Sequence, residues 1–171
     1  MELKTNNGYT YWIDDEDLSL ISAYHWYGYT PKKTKKDGRI SHYSPFIQAN
    51  IKEKGTTVRL HRLLLNDPVG VHIDHVDGDR CNNRKNNLRC CTRSQNNRNR
   101  IRHYTNTSGF KGVTWHARAK KWQAQLSKTK GKSYIGLFNT KEEAATAYNK
   151  AALEWHGEFA KLNDVKEEVK A

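Results

Sequence analysis

The chain is short of residues that would place it in several broad classes. Its 171 residues include three cysteines, one methionine and three prolines. No apolar run approaches the roughly 20 residues of a bilayer-crossing helix, so the expectation is a protein that does not cross a membrane. Met1-Glu-Leu-Lys4 lacks the apolar stretch of a signal peptide, which points to a reducing intracellular setting rather than secretion. No Cys-x-x-Cys pair occurs. Cys90 and Cys91 are adjacent, and in a strand they face opposite ways, which argues against a structural zinc site and for three reduced, packed thiols at Cys81, Cys90 and Cys91. Hydrophobic residues make up 36% of the chain, below the roughly 45–50% usual in globular domains. Yet 5 Trp, 9 Tyr and 4 Phe exclude simple disorder and imply small cores beneath a polar skin.

Acidic residues are missing locally. Residues 80 to 141 carry 16 of the 30 Lys and Arg and no Asp or Glu, within a chain of formal charge +12. A stretch that long without counter-charges repels itself. A polyanion relieves that repulsion, and nucleic acid is the usual one.

Three regions differ in composition. Up to about residue 55 the chain is aromatic and strand-like, in the runs Gly8-Tyr-Thr-Tyr-Trp-Ile13, Tyr24-His-Trp-Tyr-Gly-Tyr29 and Ser44-Pro-Phe-Ile-Gln-Ala-Asn-Ile51. The acidic patch Asp14–Asp17 starts a short helix, and no motif declares a role for this region. Residues 56 to 100 read as a strand at Thr56–His61, a helix at Arg62–Leu65, a strand at Val69–His75, a loop opened by Asp77-Gly78, and a strand at Asn87–Thr92. A helix follows, begun by the capping box Thr92-Arg-Ser-Gln95. Residues 101 to 108 form a basic linker. Residues 109 to 163 read as three strands, at Lys111–His116, Trp122–Ser127 and Ser133–Phe138, followed by a helix capped by Thr140-Lys-Glu-Glu143 and ended by Gly157. That helix is expected to turn Ala144, Ala147, Tyr148, Ala151, Ala152 and Trp155 toward the sheet. Residues 164 to 171 form a tail.

Asp74 and His75 close one strand, and Asn96 lies in the first turn of the next helix, so a hairpin and a helix can bring them together. A carboxylate and an amide oxygen are hard donors suited to Mg²⁺ or Mn²⁺, with water completing the shell. His75, beside such a ligand, is placed to deprotonate a water. The ordered set Val71-His-Ile-Asp-His-Val-Asp-Gly-Asp79, Asn82-Asn83, Asn86-Asn87-Leu88-Arg89 and Thr92-Arg-Ser-Gln-Asn-Asn97 resembles the HNH endonucleases of the ββα-metal class. The upstream Leu60-His61-Arg62-Leu63 resembles the lead-in of phage and mobile-element members. The resemblance implies that His75 is the general base and that Asp74 and Asn96 hold one divalent ion, with Asn97 the adjacent alternative. It also implies that Asn87 pins the loop that orients the base. His72 alternates with Asp74 and shares its side of the strand. His61 either contacts phosphate or buttresses the fold. Asp77 and Asp79 read as turn formers, and Asn82, Asn83 and Asn86 as loop-shaping.

In the last region the outward face of the sheet is expected to gather Lys111, Trp115 or His116, Arg118, Gln125, Lys132 and Tyr134, a basic, amide-rich and aromatic surface. Phe110-Lys-Gly-Val113, Lys121-Trp-Gln-Ala124, Tyr134-Ile-Gly-Leu-Phe-Asn-Thr140, Glu142-Glu-Ala-Ala145 and Ala147-Tyr148 resemble the plant ethylene-response-factor (Apetala-type) DNA-binding domain. By that resemblance Lys111, Thr114, His116, Gln125, Ser127, Lys132 and Tyr134 match positions that read DNA. Several of them would be Arg or Trp in the plant proteins.

The expected architecture is therefore α+β: a ββα-metal HNH nuclease module plus a three-stranded antiparallel sheet packed on one helix. The expected function is divalent-metal-dependent hydrolysis of phosphodiester bonds in double-stranded DNA by a monomer of phage or homing type, acting in the cytoplasm of a host cell. Two alternatives stand beside it. One is a DNA-binding regulator with an inert nuclease fold, and the other is a nuclease acting on RNA.

Overall fold

A computed structural model describes residues 1–30, 33–34, 40–41, 45–51, 55–100, 106–127 and 131–165. It is a mixed α and β chain whose strand pairs are antiparallel, and it divides into two compact units, Met1–Thr92 and Arg93–Ala171.

In the first unit β1 (Glu2–Lys4) pairs with β2 (Thr10–Trp12). A 3-10 turn at Asp15–Asp17 leads into α1 (Leu18–Ile21). Next come β3 (Trp26–Tyr29), β4 (Lys33–Thr34), β5 (Ile40–Ser41), β6 (Phe46–Ile51) and β7 (Thr56–Arg59). β6 is the centre of the sheet β3-β6-β7. The chain passes directly from β7 into α2 (Leu60–Leu64), and the unit closes on the hairpin of β8 (His72–His75) and β9 (Leu88–Cys91). One core runs through all of it. Ile13, Ile21 and Ile47 from the N-terminal region pack with Leu60, Leu64, Cys81 and Leu88. Burying such side chains stabilises by about 1.5–3 kcal/mol each, so the first 55 residues and the hairpin region share one apolar interior.

The second unit begins with α3 (Arg93–Asn99). It continues with the sheet of β10 (Val113–His116), β11 (Lys121–Ser127) and β12 (Lys132–Phe138), and with α4 (Lys141–His156). Alternation along β11 buries Ala124 and Leu126. Val113, Ala144 and Ala145 complete one small core, and Leu126, Tyr148 and Ala152 another. α4 starts as expected: Thr140 accepts from the Glu143 amide, and the Glu143 carboxylate returns to the Thr140 amide.

Several expectations need correction. Trp155 is exposed and His156 is buried. The inward residues are Ala144, Ala145, Tyr148, Ala152 and His156. Trp155 lies within about 20° of Ala144 and Tyr148 round the helix, so its exposure in the last turn is not a matter of helix phase. Of the three thiols, Cys81 and Cys91 are packed but Cys90 is exposed, because the two faces of β9 meet different surroundings. Residues 101–105 of the expected linker lie outside the described residues. Residues 106–108 belong to a hydrogen-bonded turn in which buried Ser108 Oγ donates to the Val113 carbonyl at 2.9 Å. Most of the expected tail, residues 166–171, also lies outside the described residues.

Candidate functional site

The β8–β9 register sets His72 opposite Cys91, Asp74 opposite Arg89 and His75 opposite Leu88. Period-two alternation then separates two chemistries. His72 and Asp74 share one face, where His72 is exposed and Asp74 is buried. The Arg89 guanidinium donates to Asp74 Oδ2 from Nε at 3.1 Å and from a terminal nitrogen at 2.8 Å. The His75 ring goes the other way. It meets the His61 ring edge-on, with centroids 5.3 Å apart.

His75 Nε2 lies 3.3 Å from Asn83 Oδ1. Asn83 is fully buried, and its amide nitrogen donates to the carbonyls of Cys81 at 3.0 Å and Arg80 at 3.3 Å. With the amide nitrogen so engaged, Oδ1 is the atom that faces the imidazole, and it can only accept. Nε2 therefore holds the ring proton and Nδ1 the lone pair. Burial pushes the His75 pKa down, and so does the nearby Arg80. The bond to Asn83 and the charges of Asp77 and Asp74 act against the shift. His61, buried beside it, is pushed down to about 3, first by desolvation and then by His75 and the guanidinium groups of Arg59, Arg62 and Arg80. Both rings are neutral at neutral pH, and a neutral imidazole is the form able to take up a proton.

The loop between the strands is held by its own polar side chains. Asn87 Nδ2 donates to the Asn82 carbonyl at 2.7 Å and to Asp77 Oδ1 at 3.0 Å, while Asn87 Oδ1 accepts from the Asp77 amide at 3.0 Å. Asp77 also accepts from the Asp79 amide at 2.7 Å and from Asn82 Nδ2 at 2.8 Å. Burial alone would raise the Asp77 carboxyl. The bonds from Asn82, Asp79 and Asn87 outweigh it and hold the pKa below the usual range. Asp79 accepts from the Cys81 amide at 3.0 Å.

The N-terminal region grips the same loop. The Trp12 amide donates to the Cys81 carbonyl and the Asn83 amide to the Trp12 carbonyl. Asp14 accepts from the Lys85 amide, and the Lys85 ammonium meets Glu16 at 2.7 Å and Asp17 at 2.8 Å. Before β8, Arg62 donates to Asp67 and to the carbonyls of Pro68 and Val71. Phe46 lies beneath two guanidinium groups, Arg80 at 4.3 Å and Arg59 at 4.7 Å from its centroid. Nothing in the Asn-rich run distinguishes Asn83 from Asn82 or Asn86 before folding, and no local pattern announces the clasp on Lys85.

In the second unit, Asn96 and Asn97 lie on α3. The sheet register pairs Thr114 with Gln123 and Gln125 with Tyr134, across an irregularity between Ala124 and Gln125. Thr114 and Tyr134 are exposed there, beside half-buried Gln123 and Gln125. Trp115 pairs with Trp122 and shares the side of Val113 and Ala124, so it stands on the opposite face from Thr114. Its ring is edge-on to Trp122 with centroids 5.1 Å apart. His116 Nδ1 accepts from the Ala119 amide at 3.1 Å and so closes the turn toward exposed Arg118. Lys132 is in β12, opposite Ser127. Lys111 lies apart from the outward face. Its ammonium donates to the Arg98 carbonyl, its amide donates to Asn163 Oδ1 at 2.6 Å, and burial followed by the charge of Lys161 lowers its pKa to about 8.

Among the described residues no group of three or more His, Cys, Asp or Glu is placed to hold a metal ion. The donors expected for the ion are the Asp74 carboxylate, in Met1–Thr92, and the amide oxygen of Asn96 or Asn97, in Arg93–Ala171. Such an all-oxygen set suits Mg²⁺ or Mn²⁺, which keep several waters, and does not suit zinc.

The model of the HNH endonuclease family matches residues 67–98. Protein 3.8 of Escherichia phage T7 is 31% identical over 95 residues, which cover 56% of this chain and 78% of that protein. Two plant proteins match a shorter stretch of the chain. APETALA2-like protein 2 of Oryza sativa subsp. japonica is 44% identical over 59 residues, and the ethylene-responsive transcription factor WRI1 of Arabidopsis thaliana is 40% identical over 58. Each covers 33% of this chain, which spans only 13% and 14% of their lengths. No solved structure matches. The chain belongs to the family of the phage protein.

Proposed function

We propose that this member of the phage Protein 3.8 family is a metal-dependent DNA endonuclease of phage type, with His75 as its general base. The observation that carries the reading is the state of that imidazole. It is buried and neutral, its Nε2 is fixed on Asn83, it adjoins Asp74, and it lies within the segment matched by the HNH endonuclease family. In this reading Nδ1 takes the proton of a water directed at the scissile phosphorus, which contributes about 10²–10⁴-fold. Asn83 keeps the ring in the productive tautomer. Asn87 holds the loop at the geometry that keeps Asn83 there. Asp74, oriented by Arg89, is the carboxylate offered to Mg²⁺ or Mn²⁺, and Asn96 or Asn97 is the amide donor. When bound, such an ion neutralises charge on the phosphate and the departing oxygen.

Double-stranded DNA is the substrate supported by the second unit's resemblance to plant DNA-binding domains and by its exposed Thr114, Arg118 and Tyr134. The test is incubation of the full chain with supercoiled plasmid and Mg²⁺ or Mn²⁺, with an EDTA control and products mapped on both strands. Cleavage that EDTA abolishes supports the proposal. Binding without cleavage in either metal replaces it with a DNA-binding regulator. Cleavage of single-stranded RNA in preference to duplex DNA replaces the substrate.

A further inference from the structure

The second unit contains a cavity of about 520 Å³, lined in part by Arg93, Ser94, Asn97, Arg98, Lys111 and His156. No carboxylate lines it. Four cationic or cationisable side chains thus converge without a counter-charge, which in a folded protein calls for an anion.

A second observation points the same way. His156 is 8% exposed, and its Nε2 lies 3.1 Å from the Ser127 carbonyl, an acceptor, so Nε2 carries the proton. His156 Nδ1 is buried with no hydrogen-bond partner. An unsatisfied buried nitrogen costs about 1–3 kcal/mol and calls for a partner that the chain itself does not supply, an ion or a water. We propose that this cavity is a phosphate-binding site, in which Arg93 and Arg98 clamp the oxyanion and His156 Nδ1 hydrogen-bonds one of its oxygens.

Burial lowers the His156 pKa, the Ser127 bond resists, and the charges of Arg98 and Lys111 lower it further. A bound oxyanion cancels those charges. A phosphate O–H then donates to Nδ1, or the protonated ring donates to the anion. Gln125 and Ser127 also line the cavity, so with Lys111 it takes in three residues expected on the reading surface, whereas Thr114 and Tyr134 are not part of it. Asn97, the alternative amide donor, lines the cavity, whereas Asn96 points roughly 130° from the mean direction of residues 93, 94, 97 and 98 at about 100° per residue.

The ligand chemistry is a phosphate group, from a nucleic-acid strand or free in solution. The test follows the His156 ring signals in ¹H–¹⁵N spectra of the full chain in EDTA. Sodium phosphate replaces chloride at constant ionic strength. Saturable movement of those signals is expected, weakened about tenfold or more in the double variant Arg93→Gln/Arg98→Gln. If the double variant melts early, Arg93→Gln alone, at an exposed position, gives a smaller loss of the same sign. Ring signals that ignore phosphate overturn the site, as does movement equal in wild type and variant. In a second arm a short DNA duplex is added. Movement reversed by inorganic phosphate assigns the strand's phosphate, and phosphate response without duplex response assigns the free ion. Because the readout is a ring signal without metal, it stands or falls apart from cleavage.

Discussion

The loop from Asp77 to Asn87 and the basic surfaces of the second unit handle polar groups in opposite ways. In the loop side-chain donors meet acceptors within the same unit: Asn87 on Asp77 and Asn82, Asn82 on Asp77, Asn83 on Arg80 and Cys81, His75 on Asn83, and Lys85 on Glu16 and Asp17. In the second unit Lys141 lies 3.9 Å from Glu142, and no carboxylate lines the cavity beside Arg93 and Arg98. A group that must move a proton has to be oriented before substrate arrives, so its surroundings are satisfied in advance. A surface that must hold a polyanion keeps its charge uncompensated and is neutralised by the ligand.

The largest effect that would break this contrast is on catalysis. His75→Ala should lower metal-dependent plasmid cleavage by about 10²–10⁴-fold and leave duplex affinity nearly unchanged. Cleavage at the wild-type rate would remove His75 from the chemistry. Next is Asn87→Ala, which strips two donated bonds and one accepted bond from the loop. At about 1–3 kcal/mol for each buried group left unpaired, urea melts should show a loss of about 2–4 kcal/mol in the first unit. A change under about 0.5 kcal/mol would mean that the loop holds its shape without this residue.

Gly112→Ala probes the second unit by packing rather than polarity. At φ +76° a new Cβ would lie 2.2 Å from the Tyr148 ring, whereas at Gly109, φ +85°, nothing lies within 4 Å. The first variant should cost about 1–3 kcal/mol from overpacking and the second about 1 kcal/mol from backbone strain alone, and equal losses would show that Tyr148 yields freely.

Acid should act on the first unit. The unfolded chain protonates His61 near pH 6.5, whereas the folded ring resists until about pH 3. The unfolded state therefore binds more protons in that window, so stability falls as pH drops from 6.5 toward 3. The loss reaches up to about 1.4 kcal/mol per pH unit from His61, with His75 acting in the same direction. A shallower slope there in His61→Phe confirms the source, and an unchanged slope refutes it. The smallest effect is expected at the surface. Arg118→Ala should reduce the slope of log K against log salt by about 0.9 if that side chain meets a phosphate, with no change in melting temperature.

Local structure was largely legible before folding, because it follows from neighbours in the chain. The Thr140–Glu143 box starts α4, Gly157 ends it with φ +54°, and the alternation in Trp122–Ser127 marks β11. The β8 and β9 strands appear where the Ile73 and Leu88 runs place them, shortened to four residues each. The end of α4 was less legible. Ala144, Tyr148 and Ala152 are buried as expected, but in the last turn His156 is buried and Trp155 is exposed.

What one dimension determined here is chemistry and order: an Asp-His pair before an Asn-rich loop, a helix behind it, and an acid-free basic stretch. Those are statements about composition and spacing, and residue identity suffices for them. Only the folded chain decided which asparagine among several meets His75, that residues 12 to 17 clasp a loop some seventy positions later, and that Lys111 turns to the Arg98 carbonyl. The reason is that a hydrogen bond across such a separation depends on where burial drives the apolar residues between its partners. That is settled by the three-dimensional core of Ile13, Ile47, Leu60 and Leu88 and by its smaller counterparts under α4, not by any nearby residue.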